Sequence, residues 1–272
     1  MALLTRLLQR FAILGLGVFS VWLIIFVFKI ADRRLPWILA LSASYGLAAY
    51  VILPRIVRMG LKVLQRRSVP RFTTTGDGLP GDPINLVLKG DFHQLRAAFK
   101  ACGWREADRL GLASSLRMAR SFVFSSSYPT APFSTLYLFG RGQDIGFQLP
   151  IGDSPRKRHH VRFWALAPAR AEETLGTADF WLNSDRPADY APALWIGAAT
   201  RDTGLSFTKL TFQFTHATDF DTNVERDFVI GELERNRVIE NVTSYQAGQP
   251  VLAGHVNHYT TDGDVAAALL RS

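Results

Sequence analysis

Two long apolar runs open the chain, and short alternating segments fill its second half. Residues 11–28 form a run of 18 without a charge, which as a helix rising 1.5 Å per residue extends about 27 Å. Residues 35–54 are uncharged for 20 positions. Pro36 stands where a helix begins, so its missing amide hydrogen is tolerated. Trp37 and Tyr50 lie near opposite ends of this run, as expected of aromatic anchors at two membrane interfaces. A signal-peptide core is shorter, about 7–15 residues, and two adjacent runs of this length are unusual in a soluble core. The pattern predicts a two-helix transmembrane hairpin.

Further along, hydrophobic positions change period. INLVLKG at 84–90 predicts a strand, and Asp91 with Gln94 has capping-box spacing ahead of a helix whose face is Phe92, Leu95, Ala98, Phe99 and Cys102. Gly103 is placed to end that helix. A second helix is expected around 112–124. From residue 135, TLYLFG, DIGFQLPI, HHVRFWAL, TADFWLNS and LWIGAAT read as short strands between turn residues. Thr222 and Glu225 suggest a capping box for a helix facing inward through Val224, Phe228 and Leu233. Strands near 238–244 and 252–258 and the run VAAALL complete the pattern. No steady strand–helix alternation appears, so the expected fold is α+β, with a mixed or mainly antiparallel sheet and packed helices. The domains are read as 1–67, the hairpin and a basic exit helix; 68–81, a Pro/Gly/Thr-rich linker; and 82–272, the α+β domain.

Charge refines the picture. The chain of 272 residues carries a net +8. Residues 1–71 hold eleven Lys or Arg and one acid, whereas 72–272 hold twenty and twenty-two, so the C-terminal domain is slightly negative. It lacks the broad positive surface of a nucleic-acid binder, and no nucleic-acid partner is expected. Arg6, Arg10, Arg55, Arg58, Lys62, Arg66, Arg67 and Arg71 flank the hairpin's outer ends, against Lys29, Arg33 and Arg34 in its turn. The positive-inside bias then puts both termini in the cytoplasm, giving a multi-pass protein of the cell inner membrane. On a helical wheel Arg55, Arg58, Lys62 and Arg66 fall within about 80°, opposite an apolar face. Such a helix either lies along an anionic leaflet or serves as a plain stop-transfer flank. A single cysteine, Cys102, excludes an intramolecular disulfide and is best read as a small core residue.

Candidate chemistry falls in two clusters. In the first, residues 140–164, Arg156, Lys157, Arg158, His159 and His160 lead into a strand. Alternation sets His160, Arg162 and Trp164 on one face, toward solvent or a cleft, and His159, Val161 and Phe163 on the core side. The second cluster, residues 215–228, contains His216, Asp219, Asp221 and Arg226. His160, His216, Asp219 and Asp221 could share a divalent metal whose bound water attacks an ester or phosphoester, making these four both metal ligands and catalytic residues. Arg156, Arg158, Arg162 and Arg226 are the candidate anion-binding residues. The metal reading lacks a His-Glu-x-x-His motif, so anion recognition without a chemical step competes with it, as do purely structural roles.

These motifs resemble the LssY C-terminal domain family. The resemblance runs through GDPINLVLKG, CGW at 102–104, SSLRMARS, the long YPTAPFSTLYLFGRGQDIGFQLPIGDSPRKRHHVRFW block, LWIGAATRD and FTHATDFDTNVERDF, over roughly 80–240. The family's last motif often carries a Thr-His-His run, but Ala217 stands here after His216. The resemblance implies work near lipid or envelope components and supplies no reaction. The resulting expectation is a membrane-anchored domain recognising an anionic ligand, such as a lipid headgroup or a phosphorylated envelope precursor. Its alternatives are a metal-dependent hydrolase and a scaffold for another membrane protein.

Overall fold

A computed structural model of the chain describes residues 15, 18–30, 33, 36–64, 69–123, 128–152, 157–166, 189–207, 214–251 and 259–271. Helix α1 is described over Val18–Ile30; this stretch is apolar, with Phe19, Trp22 and Phe26 stacked along one side, and is by itself shorter than a bilayer core. The remainder of the 11–28 run lies outside the described residues. Helix α2 (Trp37–Leu47) continues through a π-helical turn (Ala48–Ile52) into α3 (Leu53–Leu64). Among the described residues, the segment Trp37–Leu61 is the one helix long and apolar enough to cross a membrane. The expected hairpin is thus reduced, on the described residues, to one candidate span.

The expected linker proves to be structured. Within 69–81 lie β1 (Phe72–Thr74) and the start of β2 (Pro80–Pro83), and Thr73, Thr74 and Asp77 are buried. These strands pair with β5 (Tyr137–Leu138), which pairs with β6 (Arg141–Gly142), giving a four-stranded sheet in the order β2-β1-β5-β6. Phe139 and Gly140 between β5 and β6 both have positive φ, the backbone of a two-residue hairpin turn that follows the strand twist.

The larger sheet is open and eight-stranded. Its main path is β11 (Ile239–Gln246), β12 (Asp264–Leu270), β3 (Leu86–Gly90), β9 (Ala193–Phe207), β8 (Arg158–Leu166), β7 (Ile145–Pro150) and β4 (Arg105–Glu106). Strand β10 (Phe214–Thr218) pairs with β9 outside that path. Only β12 and β3 run parallel among these pairs, so the fold is mixed α/β with packed helices. The TADFWLNS segment and residues 252–258, both expected as strands, lie outside the described residues.

Helix α4 (Phe92–Ala101) starts with both halves of the expected capping box: Asp91 accepts from the Gln94 amide and Gln94 accepts from that of Asp91. Helix α5 (Leu112–Val123) matches the expected second helix. Helix α6 (Thr222–Arg235) begins one residue earlier than expected. Asp221 is its cap, accepting from the Asn223 and Val224 amides, while the Thr222 hydroxyl donates to the Thr260 carbonyl. Its buried face consists of Val229, Ile230 and Leu233, and Val224 points outward. Val224 and Leu233, nine residues apart, lie on opposite sides of an α-helix, so both could not face inward.

Both faces of the large sheet are covered. On one, Leu95 and Phe99 of α4 and Val229 and Leu233 of α6 pack against Leu86, Val161, Phe163 and Trp195. Phe99 stacks on Phe147 with ring centroids 4.4 Å apart, and each fully buried ring or leucine of this kind contributes about 1.5–3 kcal/mol. Gly197 makes this packing close: a Cβ there would meet Phe163 at 2.6 Å. On the other face a smaller core joins the sheets through Leu136, Leu138, Trp164, Ile196 and Ala198.

Candidate functional site

Antiparallel register places facing residues of neighbouring strands on the same side of a sheet. Three rungs across β7, β8 and β9 follow: Gly146–Arg162–Ala198, Gln148–His160–Thr200 and Pro150–Arg158–Asp202. The predicted alternation of β8 is therefore correct, and His160 and Arg162 share a face. That face does not open to solvent. The small sheet and residues 131–136 cover it, leaving His160 fully buried and Arg158 and Arg162 nearly so.

Burial of these groups is made tolerable by pairing. Arg162 donates to Asp82, which β2 delivers from the small sheet. The other Asp82 oxygen accepts from the Tyr259 hydroxyl at 2.7 Å. Arg158 donates through Nε to Asp202 at 2.7 Å and through Nη1 to Gln148 and the Ala131 carbonyl. Two guanidinium groups thus meet two carboxylates, the balance a low-dielectric interior requires. Phe133 lies against both, its ring centre 4.7 Å from the Arg158 guanidinium carbon and 4.9 Å from that of Arg162. Gly146 creates the room, because a Cβ there would stand 2.3 Å from the Phe133 ring.

His160 sits at the centre. Its Nε2 is 2.6 Å from Arg162 Nη1 and 2.7 Å from Thr200 Oγ1. A guanidinium can only donate, so Nε2 accepts and the ring proton belongs on Nδ1. Nδ1 lies 3.1 Å from Asp202 Oδ1, within ion-pair distance but not aligned as a hydrogen bond. Asp202, His160 and Thr200 therefore stand in the order of a carboxylate–base–hydroxyl relay. Arg162 shares the nitrogen that a general base would use, and all three side chains are buried, so in this conformation the arrangement works as an internal counter-ion network.

Electrostatics agrees with that assignment. Burial pushes the Asp82 carboxyl up, but the Arg162 charge and the hydrogen bond from Tyr259 outweigh it and hold the group below the usual carboxylate range. Burial, with Asp82 alongside, raises the Tyr259 hydroxyl well above its ordinary value, so it stays a donor. On the opposite face His159 stacks on Phe228 and its Nδ1 lies 2.8 Å from Glu225 of α6.

The four expected metal ligands do not converge. His216 pairs with Leu205 on β9, five residues beyond Thr200, the β9 partner of His160, a separation of about 16 Å along the strand. Only the backbone of His216 is described. Asp219 accepts from the Asp221 amide, and Asp221 is committed to capping α6. Among the described residues, no group of three or more His, Cys, Asp or Glu is placed to hold a metal ion.

The expected anion-binding arginines are also committed. Arg158 and Arg162 hold Asp202 and Asp82, and Arg226 holds Asp227 and both oxygens of Asp262. An incoming anion would have to displace a carboxylate of the chain from each. Arg156 lies outside the described residues. A cavity of about 370 Å³ opens beside Phe133, between Asp108, Leu110, Gln143 and Asp144. Its carboxylates are already neutralised, Glu106 by Arg96, Asp108 by Arg117 and Asp144 by Arg141.

Uncommitted positive charge stands elsewhere. Residues 37–54 carry no charge, about 27 Å of helix, and Arg55 and Arg58 follow at once. Arg55 donates to the Val51 carbonyl one turn back, and Arg58 Nε donates to the Gly140 carbonyl of the β5–β6 turn at 3.0 Å. Among the described residues neither arginine has a carboxylate partner. Both lie close enough to the half-buried Tyr137 to oppose the upward shift that burial imposes on its hydroxyl. Val57 approaches Gly78, so α3 docks against the small sheet.

Sequence reasoning reached His160, Arg158 and Arg162 but missed Asp82, Gln148, Thr200, Asp202 and Tyr259. The alternation of Ala198, Thr200 and Asp202 along a strand was the available signal, polar residues at every second position on one face. No curated protein and no solved structure matches the chain. Residues 66–265 match the profile described as LssY C-terminus, more than half of the chain, and the protein belongs to that family.

Proposed function

We propose that this chain is a membrane-anchored domain that recognises an anionic lipid headgroup where its span meets the soluble fold. One observation carries the reading: Arg55 and Arg58 follow directly on the uncharged stretch of the candidate span and face the soluble domain without a carboxylate partner among the described residues. Basic residues near an anionic leaflet contribute about 1 kcal/mol each. The buried arginines, by contrast, are internally neutralised and stabilise the joint between the sheets. In this reading the 11–28 run supplies a second span. Burial of Ser20, Ala40, Ser44 and Ala49, amid otherwise exposed apolar helix surface, supports packing of α1 on α2. The basic outer flanks support a cytoplasmic domain at the inner membrane.

The test uses full-length protein in neutral detergent, titrated with short-chain phosphatidylglycerol or phosphatidylcholine. The expected result is tighter, salt-sensitive binding of the anionic lipid, weakened at least about tenfold by Arg55→Gln together with Arg58→Gln. Equal and salt-insensitive binding of both lipids would defeat the proposal.

A further inference from the structure

Resting on the headgroup reading, we infer that the same site selects a phosphomonoester headgroup over a phosphodiester, through Arg55, Arg58 and the hydroxyl of Tyr137. The two arginines are three residues apart, so they share a helix face. Arg58 uses its Nε–H on Gly140, leaving its terminal nitrogens, a planar donor fork, directed away from that bond. The β5–β6 turn fixes the distance between helix and sheet, because Gly140 presents its carbonyl from a conformation with φ 72° and Phe139 beside it has φ 54°. Tyr137 enters from the strand immediately before that turn, pairing with Gly142, and is half-buried.

The donor set is therefore two cations and a neutral hydroxyl on a rigid frame. A phosphodiester offers one negative charge and two free oxygens. A phosphomonoester offers three oxygens and approaches two charges near neutral pH, and adjacent guanidinium groups favour its doubly ionised form. Three terminal oxygens match the Arg58 fork, the Arg55 donors not used on Val51 and one hydroxyl, whereas a diester leaves one donor without an ionic acceptor. Tyr137 is the element that a plain basic stop-transfer flank would not need.

The experiment compares full-length protein in neutral detergent with short-chain phosphatidate, phosphatidylglycerol and phosphatidylcholine as probes. Phosphatidate is expected to bind roughly tenfold more tightly than phosphatidylglycerol. Tyr137→Phe should abolish most of that preference, read as the ratio of the two affinities, with the melting temperature near wild type. Equal binding of the two anionic lipids, or a preference unaffected by Tyr137→Phe, overturns the inference and leaves headgroup recognition standing. Absence of any advantage over phosphatidylcholine overturns both.

Discussion

Replacing Arg162 with methionine tests whether the two sheets are joined by charge. The substitution keeps the volume of the side-chain stem but leaves the Asp82 carboxylate buried without its guanidinium, still accepting from the Tyr259 hydroxyl at 2.7 Å. Removing one partner of a buried pair costs about 3–5 kcal/mol. For a domain of this size that lowers the melting temperature by roughly 6–20 °C. Asp82→Leu in the same background should recover part of the loss, giving a coupling energy of about 1–3 kcal/mol. The pH dependence supplies the sign. In the wild type the folded carboxyl titrates below its unfolded value, so its contribution is present above about pH 4 and is lost as the pH falls through the folded value. Without Arg162 burial dominates, the folded value rises above the unfolded one, and stability is lost as the pH increases. The gap between wild-type and variant melting curves in detergent should therefore widen from pH 4 to pH 7. Additive single substitutions, or a gap independent of pH, would refute the reasoning.

Two further outcomes follow from close packing and burial. Gly146→Ala forces a Cβ to within 2.3 Å of the Phe133 ring, so chemical unfolding should show a loss of about 1–3 kcal/mol, with no change refuting the proposed seat of that ring. Burial, reinforced by Glu232 and opposed by Asn236, pushes the Cys102 thiol up to about 11. Alkylation at pH 8 should run roughly 100-fold slower than at an ordinary protein thiol, and labelling at a normal rate would contradict its half-buried placement.

Much of the scaffold was readable because local chemistry and tertiary packing agree there. The capping box at Asp91 and Gln94, the alternation HHVRFW and the apolar residues of β12 each point to the arrangement observed. Misreadings arose where a local signal had two outcomes. Asp221 and Thr222 are both competent caps, and of the two apolar rows that follow, the one through Val229 and Leu233 is buried while Val224 faces outward. Residues 69–81 have linker composition, yet tertiary pairing with β5 recruits them into a sheet. The site was harder because its partners are distant in sequence: Asp82 and Arg162 are 80 positions apart, and Asp82 and Tyr259 are 177 apart. A one-dimensional pattern can assign His160 and Arg162 to one face, but it cannot tell that a second sheet closes over them. It likewise showed the arginines without the carboxylates that occupy them.

The π-helical turn at Ala48–Ile52 sets the geometry between the candidate span and the small sheet. Such a turn accommodates an extra residue, which offsets everything after it by about 100° around the axis. Below it, Trp37 and the apolar face keep one azimuth, and above it Arg58 acquires another, the one that meets Gly140. Shortened by one residue into regular α-helix, the same rod would aim Arg58 past the small sheet, so the bearing of the sheets relative to the candidate span is set by five residues inside it.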